Sequence, residues 1–283
     1  NKITNIVEAE GEVKVEDVLE NYKINSEKLT FFREINKIIT NGFTEANIEN
    51  DYKVETKDAT YLLDTKELSS KLKSTIIDND NKIYYLDEFT YYKDTNLLKG
   101  KNVLTITNYN LPKSDKFFFL DGIFNLKEKS FTASDTKINI HKNIFDRDKN
   151  DPRIYGASSK GKNNITTVNK GIFTTCQKRE GCPPWSIKSE KIEHDRNKKQ
   201  IEYKNAFLNV YDIPVFYFPK FFHPDPTVNR QSGFLRPVIN KSNVLGSSLT
   251  QPYFKVISDN QDYTFSPTWF DKDIISLQNE FRQ

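Results

Sequence analysis

An internal repeat restricts the fold of this 283-residue chain more than any other feature. Five octets superimpose: Glu27-Lys-Leu-Thr-Phe-Phe-Arg-Glu, Lys57-Asp-Ala-Thr-Tyr-Leu-Leu-Asp, Asp87-Glu-Phe-Thr-Tyr-Tyr-Lys-Asp, Asp121-Gly-Ile-Phe-Asn-Leu-Lys-Glu and Glu190-Lys-Ile-Glu-His-Asp-Arg-Asn. Their equivalent positions Leu29, Ala59, Phe89 and Ile123 lie 30, 30 and 34 residues apart, and a weaker copy passes through Ile154 to Val168. Each copy reads as a strand, a polar turn and a returning strand, as in Phe89 to Tyr92, Lys93 to Asn96 and Leu97 to Lys101. Apolar residues alternate in Val103-Leu-Thr-Ile-Thr, Lys137-Ile-Asn-Ile and Gln200-Ile-Glu-Tyr, the period that puts one strand face on a core. A lone hairpin cannot bury that face, so the copies are expected to stack as an elongated β-jellyroll or β-solenoid.

Composition supports the same class. Phe (21) and Tyr (14) are abundant while mean hydropathy is low, at -0.70, which favours pleated surfaces over a compact enzyme core. Lys+Arg (42) and Asp+Glu (39) nearly cancel and form no basic block, so nucleic acid is not an expected partner. There is no run of about 18 apolar residues for a membrane helix, whereas barrel strands need only about 10 alternating residues each. The lack of any Met implies that Asn1 follows a removed signal peptide or begins a fragment.

Alternation nominates Leu29, Phe31, Tyr61, Leu63, Phe89, Tyr91, Phe119, Ile123, Ile138, Ile140, Ile201 and Tyr203 as inward-facing. Each one taken singly reads first as core; together, between two sheets, they could line an apolar trough. Enzyme readings find little support. His194-Asp195 sits in a repeated turn and reads as solvated, and His223-Pro-Asp225 reads as connector geometry. Neither a Gly-rich phosphate loop nor a nucleophile elbow is present. Cys176 and Cys182 are too few for a tetrahedral zinc site, and no cofactor is expected.

The chain changes character where prolines and aromatics crowd together, in Pro183-Pro-Trp-Ser-Ile and Ile213-Pro-Val-Phe-Tyr-Phe-Pro-Lys-Phe-Phe-His-Pro-Asp-Pro. Proline restricts its predecessor to extended backbone, which suggests a stiff link. The expected organisation is a jellyroll over 1–220, a proline-rich connector over 221–230 and four strands of an incomplete barrel over 231–283. Pro237 and Pro252 fall within the first two of those strands; a strand proline deletes a ladder hydrogen bond, which reads either as an ordinary bulge or strand end or, in the first strand, as a weakened barrel seam.

Over about 110 residues the succession Cys176, Cys182-Pro-Pro-Trp-Ser-Ile, Glu193-His-Asp, Lys199-Gln-Ile-Glu-Tyr-Lys-Asn-Ala, Ile213-Pro-Val-Phe-Tyr-Phe-Pro, His223-Pro-Asp-Pro, Arg230-Gln-Ser-Gly-Phe-Leu and Gln251-Pro-Tyr-Phe resembles the LptD/OstA family. The resemblance implies a periplasmic jellyroll that receives lipopolysaccharide from a bridge protein (LptA-like), and an outer-membrane barrel plugged by a lipoprotein (LptE-like). It also implies that Pro237 and Pro252 belong to a lateral gate, and that no covalent chemistry is performed. Cys176 and Cys182 match a cysteine-bearing loop of the family; a local bond between them and bonds to more distant cysteines both remain open. A soluble LptA-like bridge or a structural solenoid would explain the repeats but not residues 227–283.

Overall fold

In the computed structural model the described residues are 5–17, 22–48, 51–110, 114–141, 151–178, 183–225, 228, 230–244, 246–271 and 273–283. Among them the chain is all-β apart from one 3-10 turn, Arg33–Ile35. It forms two units, Asn1–Pro226 and Thr227–Gln283.

Strands of the first unit pair antiparallel in chain order. They begin with Ile6–Asp17, Tyr22–Phe32 and Lys37–Ile48, followed by three interrupted strands: Tyr52–Lys57 with Thr60–Leu62, Glu67–Ser70 with Ser74–Asp78, and Ile83–Leu86 with Glu88–Tyr92. Leu97–Ile106, Lys116–Asn125, Ser130–Asn139, Arg153–Lys162, Ile165–Thr174, Trp185–Asp195, Gln200–Val210 and Ile213–Pro224 continue the stack. The repeated hairpins are therefore the steps of one long meander.

Two left-handed positions define each step. Most hairpin turns at one end close on a residue with positive φ, namely Asn36, Lys66, Asn96, Lys129 and Lys199, while Asn163 and Asn164 make a tighter two-residue turn. Long strands also carry a positive-φ residue near their middle: Gly11, Gly42, Asn102, Asp135, Lys170 and Asn205. Asn and Asp tolerate this region, and Gly enters it freely. At these levels two consecutive residues face outward, as at Lys101 and Asn102, Leu120 and Asp121, and Asn169 and Lys170, and burial then resumes one position later. Each strand thus bends at mid-length, and its two halves line opposite walls of one core.

The mid-strand reset corrects one inward assignment. Phe117 and Phe119 face the core before the bend and Phe124 faces it afterwards, leaving Ile123 on the outer face, 45% exposed. Superposing the copies on their turns rather than on their acidic flanks places Gly122, not Ile123, with Leu29, Ala59 and Phe89. Residues 221–224 also differ from expectation. They end the strand Ile213–Pro224, which bonds to Gln200–Val210 along its length instead of spanning freely. Among the described residues it is the last strand of its unit, an edge where prolines sacrifice no ladder bond.

In the second unit the four expected strands form an antiparallel meander, Gly233–Phe234 with Val238–Ser242, Gly246–Thr250 with Tyr253–Ser258, Gln261–Phe270 and Ile275–Arg282. Asp262 and Thr264 are buried on one face, whereas Ile239, Trp269, Ile275, Leu277 and Phe281 lie exposed. A polar inner face with an apolar outer one is the alternation of a barrel-like sheet.

Candidate functional site: an apolar trough and its seam

One continuous row of directly opposed residues crosses the first unit beside its turns. In pairing order it runs Phe31, Ile38, Tyr61, Leu68, Tyr91, Leu98, Phe124, Phe131, Gly161, Thr166, His194, Ile201 and His223. Facing it from the other half-strands are Tyr22, Tyr84, Phe117, Phe119 and Phe173. Tyr22 stacks on Tyr61 with ring centroids 4.7 Å apart, Tyr84 meets Phe124 edge-on at 5.6 Å, and Phe173 packs 6.1 Å from Tyr203. Of the residues nominated by sequence, Leu29, Tyr61, Phe89, Tyr91, Phe119, Ile138, Ile140, Ile201 and Tyr203 are buried in this interior, and Phe31 and Leu63 pack against it half-buried. Burial holds the Tyr22 and Tyr203 phenols well above the usual tyrosine range.

Because each strand folds back at its bend, the two sets of turns meet along a seam that, among the described residues, no β-ladder closes. Side chains join it instead. The Tyr52 hydroxyl donates to the Leu126 carbonyl at 3.0 Å, Lys129 pairs with Asp80, and Arg196 Nη2 meets Asp115 Oδ2 at 2.7 Å. The hydrogen bond from Lys129 holds the Asp80 carboxyl below its ordinary range. Between the latter two pairs opens a cavity of about 120 Å³ lined by Tyr84, Phe117, Phe119, Phe124, Phe131, Gly161 and Thr166, with Lys82, Lys129, Lys162 and Arg196 around it. Within its lining Asp78 is buried, its carboxyl pushed up by that burial against the opposing effect of the Lys82 amide.

Polar pairs join the interior near its last strand. His194 is buried, with Nε2 3.1 Å from Asp225 Oδ2, and the Tyr203 hydroxyl lies 2.8 Å from His223 Nε2. The expected solvated turn at His194-Asp195 is corrected here: His194 takes the inward slot that Phe31, Tyr61, Tyr91 and Phe124 hold in other copies. Asp195, also buried, accepts from the Asn197 and Lys198 amides of the turn, and these bonds hold its carboxyl low. His223 and Asp225, read as connector, are locking groups. His223 Nδ1 donates to the Pro224 carbonyl, which leaves Nε2 of the neutral ring to accept from Tyr203. Burial lowers the His223 pKa.

In the second unit Pro237 and Pro252 fall in the interruptions of adjacent strands. The Leu235 amide donates to the Pro252 carbonyl at 2.9 Å, and the Gln251 side-chain amide donates to the Leu235 carbonyl at 2.8 Å, a side-chain bond within a broken ladder. Pro267, in the next strand, was missed, although the spacing of 15 residues from Pro237 to Pro252 to Pro267 was legible. Its carbonyl accepts from the Gln251 amide, so three prolines share one level of the sheet. Arg230 and Arg282 both pair with Asp262 on the buried face. Cys176 is half-buried with Sγ 3.8 Å from the Trp185 carbonyl oxygen; Cys182 lies outside the described residues, and with it the expected local disulfide.

Fold and site together define an all-β protein in which a jellyroll of stacked hairpins accompanies a barrel-like meander. Sequence comparison narrows the class. The chain is 34% identical over 119 residues to the LPS-assembly protein LptD of Polaromonas sp., covering 41% of this chain and 14% of that protein. It is 33% identical over 147 residues to that of Hahella chejuensis, covering 52% and 17%, and 24% identical over 216 residues to that of Coxiella burnetii, covering 74% and 24%. No family-level sequence model matches. Over the matched segments the chain is similar to LPS-assembly proteins named LptD, and it spans between 14% and 24% of the length of these relatives.

Proposed function

We propose that this chain carries lipopolysaccharide to the outer membrane, the jellyroll shielding acyl chains and the meander forming one side of a lateral exit. The row of inward side chains, apolar on every strand from Phe31 to Phe131, supports this reading most strongly. Each buried methylene of an acyl chain is favourable by about 0.8 kcal/mol, so a lipid with several chains needs continuous apolar cover in an aqueous periplasm. A trough closed by side chains along its seam offers that cover while sugars stay in water.

The remaining parts fit the same pathway. Ile6–Asp17 bonds on one side to Tyr22–Phe32, and among the described residues its other edge carries no strand, so an LptA-like bridge protein would add its own strand there. Pro237 and Pro252 weaken the ladder between the first two meander strands, the place for a lateral gate. The apolar outer face of the meander suits outer-membrane lipid, with the jellyroll in the periplasm and an LptE-like lipoprotein plugging the complete barrel. No covalent step is involved.

The test is site-specific photocrosslinking in cells. Photoreactive residues at Phe31, Tyr91 and Phe119 should capture lipopolysaccharide, and one at Ile123, on the same strand as Phe119 but facing outward, should label at background. Equal labelling at Phe119 and Ile123 overturns the trough.

A further inference from the structure

The row of inward side chains loses its bulk at one step. Where neighbouring strands place Phe124, Phe131, His194 and Ile201, the pair between them is Gly161 and Thr166. A Cβ built at Gly161 would stand 2.1 Å from Cε1 of Phe131, so the Phe131 ring leans into the space a larger residue would take. The cavity opens here, at the seam, beside the two-residue turn Asn163 and Asn164. Its lining carries four basic side chains, Lys82, Lys129, Lys162 and Arg196, against the single acid Asp78.

Arg196 is built into the lip. Its guanidinium lies 5.4 Å from the centroid of the Phe117 ring and bonds to Asp115 through one nitrogen, which leaves further donors of its fork for a second anion. Lys162 pairs with Glu128 at 2.7 Å, both well exposed, a bond that costs little to exchange.

We propose that this mouth is a docking port for a phosphate borne on an apolar chain. The phosphate bonds to Arg196, Lys162 and Lys129, replacing part of their carboxylate contacts, while the chain passes over Phe117, Phe119 and Phe131 into the trough. An oxyanion with three acceptors suits a planar guanidinium flanked by ammonium groups, and the aromatic floor rewards an attached chain over a free ion. The assignment rests on the lipid-carrying reading above and adds to it where the charged head is held.

Calorimetric titration of the full chain in a neutral fluorinated surfactant separates the two. Dodecyl phosphate and dodecyl glucoside share a tail and differ in the head; dodecyl phosphate should bind about tenfold tighter. Lys162→Gln with Arg196→Gln should remove that preference and leave dodecyl glucoside unchanged. Lys162→Gln alone, in an exposed pair that folding does not need, should reduce the preference about threefold and carries the test if the double variant does not fold. Failure of both amphiphiles to bind overturns the lipid-carrying trough. Equal binding of the two, or a preference that survives the substitutions, overturns only the port. Inorganic phosphate binding as tightly as dodecyl phosphate makes the site one for free anions and overturns it as well.

Discussion

Replacing Phe119 and Ile123 separately by alanine tests whether the strand Lys116–Asn125 turns over at its bend. Phe119 is 4% exposed and its ring centroid lies 5.2 Å from that of Phe131 and 6.0 Å from that of Phe124. Truncating a buried phenylalanine costs roughly 3–5 kcal/mol, and the adjacent cavity lets neighbours relax, so the low end, about 3 kcal/mol, is expected for Phe119→Ala. With about 2 cal/mol/K of unfolding entropy per residue, a unit of this size should lose about 6 °C in Tm. Ile123→Ala, at an outward position, should cost less than about 0.5 kcal/mol. Urea titration and thermal scans followed by far-ultraviolet circular dichroism measure both. If Ile123→Ala destabilises as much as Phe119→Ala, the alternation runs unbroken and the two-wall description fails.

Three further outcomes are expected. Burial lowers the His223 pKa, so the unfolded chain takes up its proton first as pH falls; stability should be level above about pH 6.5 and decline below it, and His223→Phe should flatten that slope in pH-dependent urea titrations. Asn102→Gly should be tolerated in urea titrations, whereas Asn102→Val, with a β-branched side chain at φ 49°, should cost about 1–2 kcal/mol. Pro237→Ala with Pro252→Ala restores two backbone donors, so hydrogen exchange along Val238–Ser242 should slow; unchanged exchange would show that the prolines do not weaken this ladder.

The repeat, the hairpins and most inward positions were legible because period-two alternation states them directly: Tyr61, Tyr91 and Tyr203 face the core as the pattern requires. The bend was not legible, because Asn102, Asp135, Lys170 and Asn205 look like ordinary polar residues until their φ is known. Crossing it shifts the phase by one, which is why Ile123 was misassigned and Phe124 missed. The seam is illegible in the sequence for a different reason. Arg196 and Asp115 are 81 residues apart, and neither carries a local signal of its partner. His194 could have been placed correctly, since its octet aligned it with Phe31, Tyr61 and Tyr91; a polar residue in an apolar slot was read as solvent-facing rather than as a buried pair.

The same bend explains why a trough of this kind needs side-chain closure. A strand that supplies both walls leaves backbone hydrogen bonds only between successive strands, so its ladder can lengthen without limit but never joins one set of turns to the other. Each added hairpin extends the apolar interior by one step and lengthens the seam by the same step. Closure must then come from pairs such as Lys129 with Asp80 and Arg196 with Asp115, whose partners lie far apart in sequence and of which the first, being solvent-accessible, is individually weak. A wall held by backbone ladders and a seam held by exchangeable ion pairs differ in how easily they part. Any amphiphile with its chain inside and its head in water must lie across the weaker of the two, and the chemistry of that line is basic where the aromatic interior is least filled, beside Gly161.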